Sequence, residues 1–176
     1  ECFPTDDSIM SLAIAHAIII SNKDYSKLSK NVVESMQEIG RNYPDCGYGM
    51  SFINWIFSEN PKPYNSFGNG AGMRVSSVAW LYDNLEDINK YAEITASVSH
   101  NHPEGIKGAC AIASAIYLAR QNKSKEEIKS ILSSSSIPKE DLDKIEQNAK
   151  AEYPNDYTLQ KAYIKGAIKT YNDLKK

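Results

Sequence analysis

The sequence predicts an all-α fold, on three observations. Apolar residues recur at three- and four-residue spacing in one segment after another. No stretch alternates apolar and polar residues convincingly for more than a few positions, and no internal repeat is present. The chain breakers gather in one place: Pro44, Gly47, Gly49, Pro61, Pro63, Gly68, Gly70 and Gly72 all fall within residues 44–74.

Ser8 to Ser21 opens the fold as a helix. It is apolar nearly all round, which predicts burial on several sides. Its isoleucines also suit a strand, but the run is too long for one. Asp6, Asp7 or Ser8 are placed to cap its first amides, where the helix dipole favours carboxylates. Asp24 to Tyr43 reads as an amphipathic helix with Leu28, Val32, Val33, Met36 and Ile39 on one face and Gly40 as its stop. Within the punctuated stretch, Met50 to Phe57 is short and aromatic, enough for one or two helical turns. The surrounding tyrosines and phenylalanines argue against disorder, and a long ordered loop in a helical chain is usually functional.

Helices then resume. Ser76 to Tyr82 is short, and Asn84 to Val98 carries Leu85, Ile88, Tyr91, Ala92 and Thr95 at helical spacing. Gly105 to Gln121 is rich in small residues, which permits close helix–helix approach. Lys125 to Leu132, a Ser133–Ser136 linker, Lys139 to Ala151 and Leu159 to Leu174 complete the chain.

Bulk properties exclude several classes. With 176 residues, 41% apolar and 24% charged, the chain can bury a real core as a globular domain. A net charge of -2 leaves no electrostatic footprint for nucleic acid or an acidic membrane. No apolar run approaches the length of a membrane span. Cys2, Cys46 and Cys110 are odd in number and widely separated, which argues against a disulfide framework or a structural zinc. Reduced thiols in a cytoplasmic protein, with Cys110 buried in a helix, are the expectation. The chain opens at Glu1 and not at a methionine, so a natural start upstream is an expectation and the lack of a targeting signal carries little weight.

Three polar stations interrupt the helical pattern. Thr5-Asp6-Asp7-Ser8 reads either as a helix cap or as a set of hard oxygen donors for Mg²⁺ or Mn²⁺, with further ligands needed to complete the shell. Tyr64-Asn65-Ser66-Phe67-Gly68-Asn69-Gly70-Ala71-Gly72-Met73-Arg74 reads either as turn geometry or as a loop whose amides, with Ser66 and Asn69, hold a diphosphate or ribose. It is neither a P-loop nor a dinucleotide fingerprint. Arg74 is a phosphate ligand or one half of a buried salt bridge. In Ser99-His100-Asn101-His102-Pro103-Glu104-Gly105, zinc ligation has no partner cysteines, so His100 and His102 are read as hydrogen-bonding groups. His16 reads as a satisfied core histidine.

In order and spacing, the three stations together resemble the ADP-ribosylglycohydrolase family, the group that includes the dinitrogenase-reductase-activating glycohydrolase. Gly47, Tyr48, Gly49, Ser51, Phe52 and Trp55 resemble its bacterial branch. The resemblance covers residues 3–120 well and the remainder loosely. It implies a compact multi-helix domain over residues 1–176 with two Mg²⁺ or Mn²⁺ ions in a central cleft. It also implies metal-dependent hydrolysis of the N- or O-glycosidic bond between ADP-ribose and a modified side chain, arginine or serine, or of a related conjugate. By the same resemblance Thr5, Asp6 and Asp7 match metal ligands. Asn65, Ser66, Phe67, Gly68, Asn69 and Gly70 match the substrate loop, and His100 matches a pocket-lining histidine. The general acid or base is not assigned.

Two family features are missing from the sequence: an upstream Gly-Asp helix with a metal-binding glutamate, and a C-terminal Asp-x-Asp-Thr motif. Asp156 and Asp173 have the wrong neighbours for the latter. The expectation is an incomplete domain, a portion of an enzyme whose metal site a missing segment or second chain completes. The alternative is a non-catalytic ADP-ribose-binding module or truncated pseudoenzyme.

Overall fold

The computed structural model describes residues 3–135 and 139–174, and among them every regular element is helical and none is a strand. The chain divides into two compact units, Glu1–Arg120 and Gln121–Lys176.

The first unit contains α1 (Asp6–Ile20), a 3-10 turn (Tyr25–Lys27), α2 (Leu28–Asn42) and α3 (Met50–Phe57). It continues with α4 (Gly70–Met73), a 3-10 segment (Val75–Trp80), α5 (Leu85–Ser97) and α6 (Pro103–Arg120). Two antiparallel pairs frame it. His16 Nδ1 meets Ser35 Oγ at 3.0 Å and Asn31 donates to Ser21 Oγ at 2.7 Å, which ties α1 to α2. Ser114 donates to Asn89 Oδ1 at 2.9 Å and Tyr117 to the Asp83 carbonyl at 2.8 Å, which ties α5 to α6. Short α4 and the 3-10 segment pack against both α1 and α6. Met10, Ile14, Val32, Met36, Ile56, Val75, Val78 and Ile88 form the core, all fully buried.

Four expectations change. The apolar wrap of α1 predicts burial on several sides, but the buried stripe is Ile9, Met10, Ala13, Ile14 and Ala17. Leu12 and Ile19 face outward, 61% and 72% exposed. Asp24 accepts from the Ser26 amide at 3.2 Å and starts the 3-10 turn, so α2 begins only at Leu28. Gly40 does not stop α2; it is a buried packing residue, where an added Cβ would lie 3.0 Å from Ile56 Cδ1 and 3.3 Å from Met10 Cε. Cys110 is half-buried, as is Cys46, while Cys2 lies outside the described residues. Among the described residues no helix is long and apolar enough to cross a membrane.

The second unit holds α7 (Lys125–Ser135), α8 (Lys139–Glu152) and α9 (Tyr157–Leu174). The expected serine linker is helical through Ser135, where Ser134 Oγ returns to the Ser130 carbonyl at 2.9 Å; Ser136 lies outside the described residues. α8 packs against α9, with Ala149 and Ile168 buried and Tyr153 edge-on to Tyr163 at 6.1 Å. Asp156 caps α9 by accepting from the amides of Thr158 and Leu159 at 2.9 and 3.0 Å, which gives this carboxylate a folding role.

Gly40→Val should destabilise the first unit by about 1–3 kcal/mol, because the wall it would meet is a fully buried isoleucine and methionine. An unchanged urea midpoint would contradict the packing role.

Candidate active site

The punctuated stretch becomes a strap held against the segment that joins α5 to α6. The Tyr64 amide donates to the Ser99 carbonyl at 3.1 Å, and the Asn65 amide donates to Asn101 Oδ1 at 2.7 Å. Asn65 turns the chain at φ 54°, a left-handed conformation that asparagine tolerates better than most residues. The strap then crosses α6 at Gly105, where a Cβ would lie 2.8 Å from the Ser66 carbonyl oxygen. Only a residue without a side chain allows this approach. Ser66 Oγ receives the Gly68 amide at 3.2 Å, closing a tight turn before α4. Trp55 fixes the facing helix α3 by donating to the Val98 carbonyl at 3.1 Å.

These elements enclose a cavity of about 430 Å³, a size suited to a small-molecule ligand. Of the site residues expected from sequence, Asp6, Ser66, Gly68, Asn69, Gly70 and His100 line it. Thr5, Asp7, Asn65 and Phe67 do not. Thr5 and Asp7 are exposed beside it, Asn65 turns the strap, and Phe67 is 74% exposed with its ring 5.3 Å from that of His102. Lining residues with no prior assignment include Met50, Ser51, Phe52, Tyr64 and Met73. The signal for Tyr64 and Met73 is their place in the glycine motif; Met50, Ser51 and Phe52 sit in the short aromatic helix α3.

The acidic station occupies the first turn of α1. Thr5 holds the cap position and its side chain makes no capping hydrogen bond, while Asp6 and Asp7 stand in the first turn, where the helix dipole favours carboxylates. The Asp6 amide instead donates to the Cys46 carbonyl at 2.9 Å and ties the helix start to the loop. Partial burial and then the neighbouring Asp7 carboxylate raise the Asp6 pKa above the ordinary carboxylate value. A hard cation would relieve both, and Asp6, Asp7 and the Thr5 hydroxyl are oxygen donors of the right kind. In number they fall short, because no group of three or more His, Cys, Asp or Glu side chains poised for a metal exists among the described residues.

The opposite wall is built on a buried cation. Arg74 is 1% exposed and has no carboxylate partner among the described residues, which corrects the buried salt bridge expected as one alternative. Its Nη2 donates to the Thr95 carbonyl at 3.2 Å and to Ser99 Oγ at 2.8 Å, and its guanidinium lies 5.6 Å from the Phe52 ring centre. Its Nε and Nη1 have no hydrogen-bond partner among the described residues. Burial lowers its pKa to about 10, so it remains charged at neutral pH. His100 is buried beside it, edge-on to Tyr64 at 5.6 Å. Burial first, and then the Arg74 charge, depress the His100 pKa to about 4, so the imidazole is neutral at pH 7. A Cβ on Gly70 would sit 2.8 Å from His100 Nε2, so this glycine leaves that nitrogen uncovered. Tyr48, close to Asp6 and Cys46, is pushed up to about 12 chiefly by burial and keeps its phenolic proton.

Fold and cavity define an all-helical protein that gathers Asp6, a glycine turn and His100 around one cavity. The profile of the ADP-ribosylglycohydrolase family matches residues 2–173, and the chain belongs to that family. It is similar to the ADP-ribosylhydrolase ARH3 of Homo sapiens, at 29% identity over 141 residues, covering 70% of this chain and 37% of that protein. The Mus musculus ARH3 is 30% identical over 141 residues, covering 70% and 36% respectively, and the Gallus gallus ARH3 is 28% identical over 138 residues, covering 70% and 36%. The matched region thus spans little more than a third of the length of these relatives.

Two outcomes test this geometry. Gly105→Ala should destabilise the first unit by about 1–3 kcal/mol, because the obstacle is backbone and cannot rotate away; equal urea midpoints would show that the strap does not press on α6. The depressed His100 pKa sets a pH dependence. Between pH 6.5 and about 4 the unfolded chain binds a proton at this residue and the folded chain does not. Wild-type stability should therefore fall, relative to His100→Gln, by about 1.4 kcal/mol for each pH unit descended within that window. Parallel pH–stability curves for the two proteins would overturn the assignment.

Proposed function

We propose that the cavity binds ADP-ribose, and that the chain forms part of a metal-dependent hydrolase that removes ADP-ribose from modified protein side chains or a related conjugate. The convergence of Asp6, the Ser66–Gly70 turn and His100 on one cavity carries this reading. The relatives are named ADP-ribosylhydrolases, and their chemistry is consistent with these groups. The turn supplies amides and small side chains for a diphosphate or ribose. The neutral imidazole adds a hydrogen-bonding group that does not compete for protons at neutral pH. Cleavage at the anomeric carbon passes through an oxocarbenium-like transition state, which neighbouring carboxylates stabilise.

Thr5, Asp6 and Asp7 are the groups that would hold a Mg²⁺ or Mn²⁺ ion, two ions being the complement implied by the family resemblance. When bound, such an ion supplies orientation of ribose hydroxyls and activation of a water. Asp6 and Asp7 hold the acidic edge, and Tyr48 keeps its phenolic proton near Asp6, its hydroxyl without a hydrogen-bond partner among the described residues. The donor shortfall favours completion of the site by a further segment of polypeptide or by a second chain. It equally motivates a second reading, in which these residues bind ADP-ribose without turnover.

Calorimetry with free ADP-ribose and a hydrolysis assay on ADP-ribosylated arginine and serine peptides, each with and without Mg²⁺ or Mn²⁺, separate the readings. Binding is expected, weakened about tenfold by Asn69→Ala, with its divalent-ion dependence lost in Asp6→Ala. Release of ADP-ribose establishes the hydrolase, and binding without release establishes the module. Undetectable binding at millimolar ADP-ribose defeats both.

A further inference from the structure

We propose that Arg74 and Ser99 act as a proton-ordering relay that holds His100 as the neutral Nε2–H tautomer, with its N–H presented to the ligand cavity. This deepens the reading above by assigning positioning roles to two buried residues and a polarity to a third.

The relay follows from donor and acceptor bookkeeping. A guanidinium has only donors, so at the 2.8 Å contact Arg74 Nη2 gives a proton and Ser99 Oγ accepts it. The Ser99 hydroxyl therefore has its own hydrogen to place. Among the described residues, His100 Nδ1 at 2.9 Å is the one remaining partner for it. Ser99 is fully buried, so water does not offer an alternative acceptor. A buried hydroxyl hydrogen left unmatched is costly. Nδ1 therefore accepts, and the imidazole proton resides on Nε2.

Burial and the Arg74 charge both disfavour a second proton on the ring, so the imidazole stays neutral. Nε2 is also the His100 atom nearest the vacant side-chain position of Gly70, in the cavity wall. The consequence is a fixed N–H donor, polarised through Ser99 by a buried positive charge, that is complementary to an anionic oxygen such as one of a diphosphate. The opposite tautomer would present a lone pair and repel that oxygen. The relay also gives Arg74 a role in the site that needs no contact with the ligand.

Long-range ¹H–¹⁵N spectra of the free protein at pH 7 test the relay directly. The chain has three histidines, and the spectrum of His100→Gln assigns the resonances of interest by subtraction. The expected result is a neutral ring with Nε2 protonated and Nδ1 bare. Ser99→Ala should shift His100 toward the other tautomer or a mixture, and weaken ADP-ribose binding about tenfold. A wild-type ring protonated at Nδ1, or at both nitrogens, overturns the proposal, as does an unchanged tautomer in Ser99→Ala. The wild-type spectrum alone is decisive if the variant does not fold. Because that spectrum is recorded without ligand, it is independent of the functional reading, which falls only if wild-type protein does not bind ADP-ribose.

Discussion

The buried guanidinium of Arg74 is the constraint around which the first unit is arranged. A charge removed from water must find compensation, and among the described residues no carboxylate supplies it. The compensation comes from Thr95, whose carbonyl lies in the last turn of α5, from Ser99 just beyond it, and from the face of Phe52 on α3. A helix C-terminus carries partial negative charge, so the cation sits where α5 favours it. Three elements are thereby fixed together: the α4 junction that carries Arg74, the end of α5, and α3. The cavity lies between them, so the shape of the site and the solvation of one cation are a single problem.

The sequence made most of the helices legible because their apolar spacing is regular, and Met50–Phe57 coincides with α3 residue for residue. It misplaced elements where tertiary contacts override a local rule. Gly40 looks like a stop because glycine ends helices, yet α2 uses its missing side chain to admit Ile56 and Met10. The α1 sequence is apolar on faces that this chain leaves exposed, and no count of hydrophobicity distinguishes the Met10–Ala17 stripe from Leu12 and Ile19.

The site was legible to a different depth. The three polar stations stand out against a helical background, and the cavity draws residues from each of them. What composition cannot supply is the order in which they meet. The tether from Tyr64 to Ser99, the crossing of Ser66 over Gly105, and the absence of an acid beside Arg74 depend on contacts more than thirty or twenty residues apart. The salt-bridge alternative for Arg74 followed from the usual company of buried arginines. It failed because a helix end and a hydroxyl take the carboxylate's place.

The two walls of the cavity have opposite electrical character, and this follows from local causes. At one wall partial burial and a neighbouring carboxylate make the Asp6 negative charge harder to sustain, an environment that a divalent cation would ease. At the other, Arg74 lines the cavity and contributes positive potential, while His100 stays uncharged. On the proposed reading, the diphosphate and the ribose hydroxyls of ADP-ribose would follow that division. A purely apolar ligand would leave both walls unsatisfied. Under the ADP-ribose reading proposed above, the polarity of the pocket would suit a molecule that is anionic in one part and polyhydroxylic in another.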